Sequence, residues 1–254
     1  MIQLPNLHIV ALAILSFTLN SPSFAIVGGK ILTSSDDLAK RTVVVAKMPT
    51  NATRADYDLY GLCSGVLISP NKVLTAAHCV AYEAPDSIRV GFTITTEEKN
   101  INSYIQGKEI LIHPSYNSEN SMNDLAIIEI VKVAPNDYKT TPIISNLIEV
   151  KKSDQLILSG YGINDPKTGD DGILKSIEMS PYQISLITKE LIFKNNGYGS
   201  CKGDSGGPAF LRVEGKLFIA GITSHGEQGY KCGQGYSYYS DLRKFSKWIR
   251  SLNK

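Results

Sequence analysis

The sequence predicts an all-β protein, and two observations carry that prediction. Short runs rich in Val, Ile and Leu recur along the 254 residues, and clusters of Gly, Pro, Asn and Asp separate them. This spacing is typical of a β-sandwich or barrel rather than of alternating strands and helices. The length suits one large β domain or two small barrels that share a cleft. The predicted strands lie at residues 42–45, 64–68, 73–75, 88–90, 110–112, 126–130, 155–158 and 217–222.

The first 25 residues have the pattern of a cleavable export signal. Residues 9–15 form an apolar core, and Ala25 ends a Ser-Pro-Ser-Phe-Ala segment with small residues at its last and third-last positions. The apolar core is too short to span a membrane. We therefore expect residues 1–25 to be removed after Ala25 and residues 26–254 to form a secreted or periplasmic domain. A buried N-terminal helix and cleavage after Ser23 are the alternatives.

Composition and cysteine usage narrow the function classes. The formal net charge is +2 and no run of five Lys or Arg occurs, so a nucleic-acid partner is not expected. Four cysteines in an exported chain predict disulfides, and counting alone leaves three pairings open. A metal site is not expected, because His78 beside Cys79 is the only close Cys/His pair.

The C-terminal segment predicts a helix, and a polar segment predicts a connector. Four apolar and three basic residues fall on opposite helical faces: Leu242, Phe245, Trp248 and Ile249 against Lys244, Lys247 and Arg250. Residues 136–147 are polar, directly follow Pro135 and contain Pro142. We expect the boundary between two halves near residues 135–147.

Three segments supply the residue types of nucleophilic catalysis. They are Thr-Ala-Ala-His-Cys around His78, Asn-Asp-Leu-Ala around Asp124, and Gly-Asp-Ser-Gly-Gly-Pro around Ser205. A serine hydroxyl needs a base to remove its proton, and the base needs a carboxylate to orient it. The chain order His, Asp, Ser differs from the order in subtilisins and α/β-hydrolases. Gly203 permits a turn in which its N–H and that of Ser205 converge on an oxyanion.

In this order, and with Ile26-Val27-Gly28-Gly29 directly after Ala25, the segments resemble the chymotrypsin/trypsin-like family of serine proteases. The resemblance runs from Ile26 to the C-terminus. It implies two packed six-stranded antiparallel β-barrels with a C-terminal α-helix. It also implies a secreted serine endopeptidase that acts through an acyl-enzyme intermediate on proteins or peptides, with protein protease inhibitors as further partners. No cofactor and no membrane span in the mature form are expected.

The resemblance assigns Asp204 to an ion pair with the α-amine of Ile26. Beside the nucleophile, Asp204 would otherwise be a buried unpaired charge. The amine exists only after cleavage, and Ala25 replaces the basic residue that precedes this Ile in many relatives. Signal peptidase would therefore be the activator.

The resemblance also implies a substrate pocket and two disulfides. Seven residues are assigned to the pocket: Gly199 at its floor, Ser200, Lys202, Ser224, His225, Gly226 and Ser237. With no acid at the floor, the pocket predicts small, apolar or aromatic residues before the scissile bond. Two alternatives stay open: a preference for basic substrate residues through Glu227, and a preference for acidic substrate residues through Lys202. The implied disulfides join Cys63 to Cys79 and Cys201 to Cys232.

Two departures from the family pattern and two alternative functions bear on this interpretation. His225 stands where the family usually has Trp, and the stretch from Leu174 to Ser205 is shorter than in relatives, which predicts a reduced intermediate helix. A catalytically inactive protease homologue that serves as a binding module is the alternative function, although no triad residue is missing. An esterase is disfavoured, because no Gly-x-Ser-x-Gly segment is followed by Asp and His.

Overall fold

Fourteen β-strands and one α-helix make up the regular structure of the described chain, residues 26–48, 60–96, 103–163 and 171–252 of this computed structural model. The segment expected to be a signal peptide, residues 1–25, lies outside these residues. The strands are β1 (Lys30–Ile31), β2 (Thr42–Lys47), β3 (Tyr60–Ser69), β4 (Lys72–Thr75), β5 (Ile88–Gly91), β6 (Tyr104–Ile112), β7 (Ala126–Ile130), β8 (Leu156–Gly160), β9 (Lys175–Met179), β10 (Gln183–Ser185), β11 (Glu190–Lys194), β12 (Pro208–Val213), β13 (Lys216–Gly226) and β14 (Tyr236–Asp241).

Six strands of the first half close into an antiparallel barrel with the order β2-β3-β4-β7-β6-β5. Successive side chains of β2 point to opposite faces of the strand, so its apolar residues pack in two different clusters. Val43 and Val45 belong to the main core, whereas Val44 and Ala46 pack in a second buried cluster with Tyr161. Alternate apolar residues of one strand therefore fill the barrel and also cover it on its outer side.

The second half is an antiparallel sheet with the order β1-β9-β8-β12-β13-β14-β11-β10. Eight strands are present rather than six because two short strands join the edges. β1 comes from the N-terminal segment and pairs with β9, and β10 forms a hairpin with β11. The predicted chymotrypsin-like fold of two β-barrels with a C-terminal helix is confirmed.

Buried hydrogen bonds join the two halves. Tyr161 directly follows β8 and is fully buried; its hydroxyl donates to the carbonyl oxygen of Thr93 at 2.6 Å and lies 3.3 Å from that of Thr42. The Tyr161 N–H donates to Ser64 Oγ at 3.0 Å. The hydroxyls of Thr42 and Ser159 lie 3.0 Å apart. Because buried polar groups must be paired, these bonds fix how the halves meet.

The C-terminal helix α1 spans Ser246–Leu252 and follows a 3₁₀ turn at Leu242–Lys244. The Asp241 carboxylate accepts from the Arg243 N–H and so caps this turn. The predicted faces are present, since Leu242, Phe245 and Ile249 are buried while the three basic residues are exposed. Among the described residues, no helix is both long and apolar enough to cross a membrane.

We expect Tyr161→Phe to lower the free energy of unfolding by about 1–3 kcal/mol, because the Thr93 carbonyl oxygen loses the buried hydroxyl that donates to it at 2.6 Å. Urea denaturation measures the change. Tyr82→Phe is the control, since Tyr82 is 82% exposed and its hydroxyl bonds only an exposed serine. A Tyr161→Phe effect no larger than that of Tyr82→Phe would contradict the assigned role of the hydroxyl.

Candidate active site

The strand ends of the first barrel bring His78 and Asp124 into contact. His78 lies in a 3₁₀ turn directly after β4, and Asp124 precedes β7, the antiparallel partner of β4. Asp124 is fully buried; its Oδ1 accepts from the His78 backbone N–H at 2.9 Å, and its Oδ2 lies 2.7 Å from His78 Nδ1. Such a pairing orients the imidazole and leaves Nε2 as the nitrogen available for proton transfer.

A β-bulge in the second half supplies another donor to Asp124. The register between β13 and β14 shifts between Thr223 and His225, which leaves Ser224 as the extra residue. A bulge re-aims the side chain of its extra residue. Ser224 Oγ donates to Asp124 Oδ2 at 2.6 Å. The carboxylate is therefore held from both halves of the protein.

Ser205 lies against the same disulfide as the imidazole of His78. Cys79 Sγ is 3.7 Å from His78 Nε2 and 3.8 Å from the Ser205 carbonyl oxygen. The Ser64 N–H of β3 donates to this carbonyl at 2.7 Å and anchors the Ser205 loop to the first barrel. Within the described chain no hydrogen bond joins Ser205 Oγ to His78. Catalytic hydrogen bonds often tighten only when a substrate binds.

The loop around Ser205 presents two backbone N–H groups that have no protein acceptor. In the described chain, the N–H groups of Asp204 and Gly206 bond to carbonyl oxygens, whereas those of Gly203 and Ser205 do not. Gly203 has φ +93°, and a Cβ there would lie 2.7 Å from Gly162 Cα. A pair of such donors can stabilise negative charge that develops on an oxygen.

Asp204 has no solvent exposure. The Gly162 N–H donates to Oδ1 at 2.9 Å, and the Cys201 N–H donates to Oδ2 at 2.8 Å. Burial raises the pKa of Asp204 to about 7, although these N–H groups and the charge of Lys175 act to lower it. The carboxylate therefore depends on nearby positive charge to be fully ionised at neutral pH.

Lys175 is a buried cation on the same side of the sheet as Asp204. It is 1% exposed and pairs with Gly160 across β8 and β9. A Cβ on Gly160 would lie 2.4 Å from Asp204 Oδ1, and directly paired residues point to the same face of a sheet. Burial lowers the pKa of Lys175 to about 8, while the charge of Asp204 acts to raise it. Sequence patterns gave no signal for Lys175, because a lone lysine at a strand start is usually exposed.

The segment that begins at Ile26 is seated beside this loop. Ile26 is fully buried in the main core. The Val27 carbonyl accepts from the Gly199 N–H at 2.9 Å in an isolated β-bridge. In this continuous chain the Ile26 nitrogen belongs to a peptide bond, and no ion pair between Ile26 and Asp204 occurs among the described residues. Pairing of a free Ile26 amine with Asp204 stays a prediction.

Two disulfides hold the loops of the site. Cys63–Cys79 joins β3 to the turn of His78, and Cys201–Cys232 joins the Ser205 loop to the segment between β13 and β14. Cys63, Cys79 and His78 also lie close enough together to suggest a metal cluster. Both sulfurs belong to the disulfide, however, so this cluster offers no thiolate ligand.

A cavity of about 320 Å³ opens beside Ser205, within the size range of ligand sites. Six of the residues predicted for the pocket line it: Ser200, Lys202, Ser224, His225, Gly226 and Ser237. Gly199 is buried and is not among its described lining residues. Asn195 and Glu227 line it as well. Asn195 had no sequence signal, because family alignment points to position 199 and not to the residue four positions earlier.

The ionisable side chains that line the cavity differ in how exposed they are to solvent. His225 stacks on Tyr238 with ring centroids 4.5 Å apart, and burial lowers the pKa of His225 below its ordinary value. Glu227 Oε2 is buried and has no hydrogen-bond partner within the described chain. Lys202 is exposed at the rim.

Known proteins similar to this chain cover most of its described length. The Trypsin family model matches residues 40–249. The chain is 31% identical to trypsin-3 of Salmo salar over 76% of this chain and 83% of that protein. It is 28% identical to trypsin of Simulium vittatum over 86% and 91%. It is 27% identical to vitamin K-dependent protein C of Mus musculus over 74% of this chain, and the match spans only 45% of that longer protein.

In protein that keeps Ala25 before Ile26, we expect Asp204→Asn to become more stable relative to the wild type as the pH rises from about 4 to about 7. The folded-state pKa of about 7 lies above the ordinary value of 3.8, so the native state binds this proton more tightly and loses stability as the pH rises toward 7. The variant lacks this loss, which amounts to a few kcal/mol in order of magnitude.

Chemical denaturation across this pH range measures the effect. The exposed Asp86→Asn is the control for removal of a carboxylate outside the site. A difference between Asp204→Asn and the wild type that stays constant with pH would show that Asp204 does not titrate abnormally.

Proposed function

This chain belongs to the trypsin family, and on that premise we propose that it is a secreted serine endopeptidase that hydrolyses peptide bonds through an acyl-enzyme intermediate. The observation that carries the proposal is the buried Asp124 carboxylate bound to His78 beside Ser205. All three triad residue types are present, and no observation favours the alternative of a binding module without turnover.

In the proposed mechanism, Ser205 Oγ attacks the scissile carbonyl carbon while His78 Nε2 takes the hydroxyl proton. Asp124 stabilises the imidazolium that forms and keeps its Nδ1 proton directed toward Oδ2. The imidazolium then protonates the leaving amine, and the acyl group stays on Ser205. Water, activated by the same imidazole, attacks the acyl-enzyme and releases the acid product.

The N–H groups of Gly203 and Ser205 serve as the oxyanion hole in this proposal. They donate to the carbonyl oxygen as it gains negative charge in each tetrahedral intermediate. Two observations support this assignment. Both N–H groups lack a protein acceptor, and Gly203 has a positive φ that orients the loop.

For the substrate, we propose proteins and peptides with a small, apolar or aromatic residue before the cleaved bond. The described lining of the cavity beside Ser205 carries neutral groups at Ser200, Ser237 and Asn195, while Lys202 lies at the exposed rim. Glu227 is the one carboxylate in this lining, and the basic preference it would give is tested below. Protein protease inhibitors that present such a residue would bind the same cleft.

Export and activation form one step in the proposal. Cleavage after Ala25 would place the protein outside the cytoplasm, where Cys63–Cys79 and Cys201–Cys232 can form and persist. The same cleavage frees the amine of Ile26. That amine would add positive charge beside the buried carboxylate of Asp204 and stabilise the oxyanion hole.

We expect Ser205→Ala to lower kcat for peptide hydrolysis by about 10⁴- to 10⁶-fold while secretion and thermal stability stay unchanged. Single-turnover assays on a peptide library measure the loss, and the exposed Ser251→Ala serves as a control with full activity. Near wild-type turnover in purified Ser205→Ala would show that the nucleophile is another residue.

We expect secreted protein to begin at Ile26 and to be active, whereas protein that keeps Ala25 loses about 10²- to 10³-fold in kcat, the effect of losing an oxyanion donor. Pairing raises the pKa of the Ile26 amine above its free value of about 7.7–8.0, so its contribution is complete below that range and is lost as the pH rises above it. Mass spectrometry assigns the N-terminus of each assayed sample.

A single Ala added after Lys254 is the control for chain extension and should leave activity unchanged. Full activity in protein shown to keep Ala25 would exclude the amine as the activating group.

A further inference from the structure

Asn195 lines the cavity beside Ser205 next to Gly199, the position that the sequence assigned to the pocket floor, and we call this part of the cavity its base. It is 7% exposed, it follows β11, and its N–H donates to the Gly235 carbonyl oxygen at 2.9 Å. The Asn195 side chain points into the space that a residue at position 199 would otherwise use. A Cβ on Gly199 would lie 2.2 Å from Asn195 Oδ1.

The backbone at position 199 also excludes a side chain there. Gly199 has φ +130°, which residues with a Cβ rarely adopt. The bridge to Val27 fixes this backbone conformation. A Gly199→Asp substitution therefore cannot place a carboxylate in the cavity without moving both Asn195 and the N-terminal segment.

The hydrogen bonds of Asn195 make the base of the cavity neutral and rigid. Its Nδ2 donates to the Gln234 carbonyl oxygen at 3.2 Å and to Ser237 Oγ at 2.8 Å, and Ser237 Oγ lies 3.1 Å from Oδ1. Both N–H bonds of the amide are thus used within the protein. An amide held in this way has no free donor for an acidic side chain and no charge for a basic one.

From these contacts we infer that Asn195, rather than residue 199, is the residue that sets the depth and charge of the pocket for the side chain before the scissile bond. The inference rests on the proposed endopeptidase function and deepens it. It assigns uncharged side chains to the pocket because the group at its base is a neutral amide with satisfied donors. Asn195 is a specificity-determining residue in this account and takes no part in bond breaking.

The test is Asn195→Asp, which keeps the size of the side chain, places a carboxylate at the base and removes the two donors of Nδ2. We expect kcat/KM for peptides with Arg or Lys before the cleaved bond to rise at least about tenfold relative to peptides with Leu or Phe. Asn196→Asp is the matched control, since Asn196 is the next residue, is exposed, and does not line the cavity. Its cleavage profile should equal that of the wild type.

Binding of benzamidine, an aromatic amidinium, separates this inference from the proposed function because it needs no turnover. We expect Asn195→Asp to bind benzamidine at least about tenfold more tightly than the wild type and Asn196→Asp, measured at about pH 8 to keep the carboxylate ionised. Tighter binding in a protein without Ser205-dependent turnover would support the pocket assignment and refute the endopeptidase.

Folded Asn195→Asp with an unchanged profile and unchanged benzamidine affinity would overturn the inference. If Asn195→Asp does not fold, Asn195→Ala replaces it, and the deeper cavity should shift the preference from Ala and Val toward Phe and Tyr by about tenfold. An unchanged profile for Asn195→Ala would also overturn it. A wild-type profile dominated by Arg and Lys would do the same and would point to Glu227, with Glu227→Gln removing that preference.

Discussion

The buried carboxylate of Asp204 is the constraint on which the catalytic loop depends. An ionised carboxylate without solvent is unfavourable by several kcal/mol unless donors and a positive charge surround it. The N–H groups of Gly162 and Cys201 supply the donors, and Lys175 supplies charge from the neighbouring strand. Asp204 lies between Gly203 and Ser205 in the chain. Its side chain points into the protein, and the backbone N–H groups of both neighbours have no protein acceptor.

The two halves of the protein contribute different parts of the site, so the buried bonds between them have a functional consequence. The first barrel orients His78 against Asp124 through the pairing of β4 with β7. The second half carries Ser205, and the bulge at Ser224 connects it back to Asp124. A shift of one half relative to the other would break this bond and the bond between Ser64 and Ser205 together.

Sequence patterns predict the parts of the fold and site that depend on local residue type. The apolar run in β7 and the segments around His78, Asp124 and Ser205 are of this kind. Six of the fourteen strands were not predicted, namely β1, β9, β10, β11, β12 and β14. In β9 and β14, Lys175 and the alternating Ser and Tyr residues hide the burial. The bulge at Ser224 depends on pairing register, and the position of Asn195 depends on the backbone conformation at Gly199, which no run of residues encodes by itself. Between Leu174 and Ser205 the described chain has the β10–β11 hairpin and no α-helix, and the predicted reduction relative to family members stays a prediction.

The pKa of the Asp204 carboxyl group in secreted protein that begins at Ile26 tests the central claim most directly. Titration of the ¹³C-labelled carboxyl group by NMR, assigned with Asp204→Asn, gives this value. The account predicts a pKa below the ordinary value of 3.8, because the freed amine adds positive charge to the donors already present. A pKa near 7, the value that burial produces in the uncleaved chain, would contradict it.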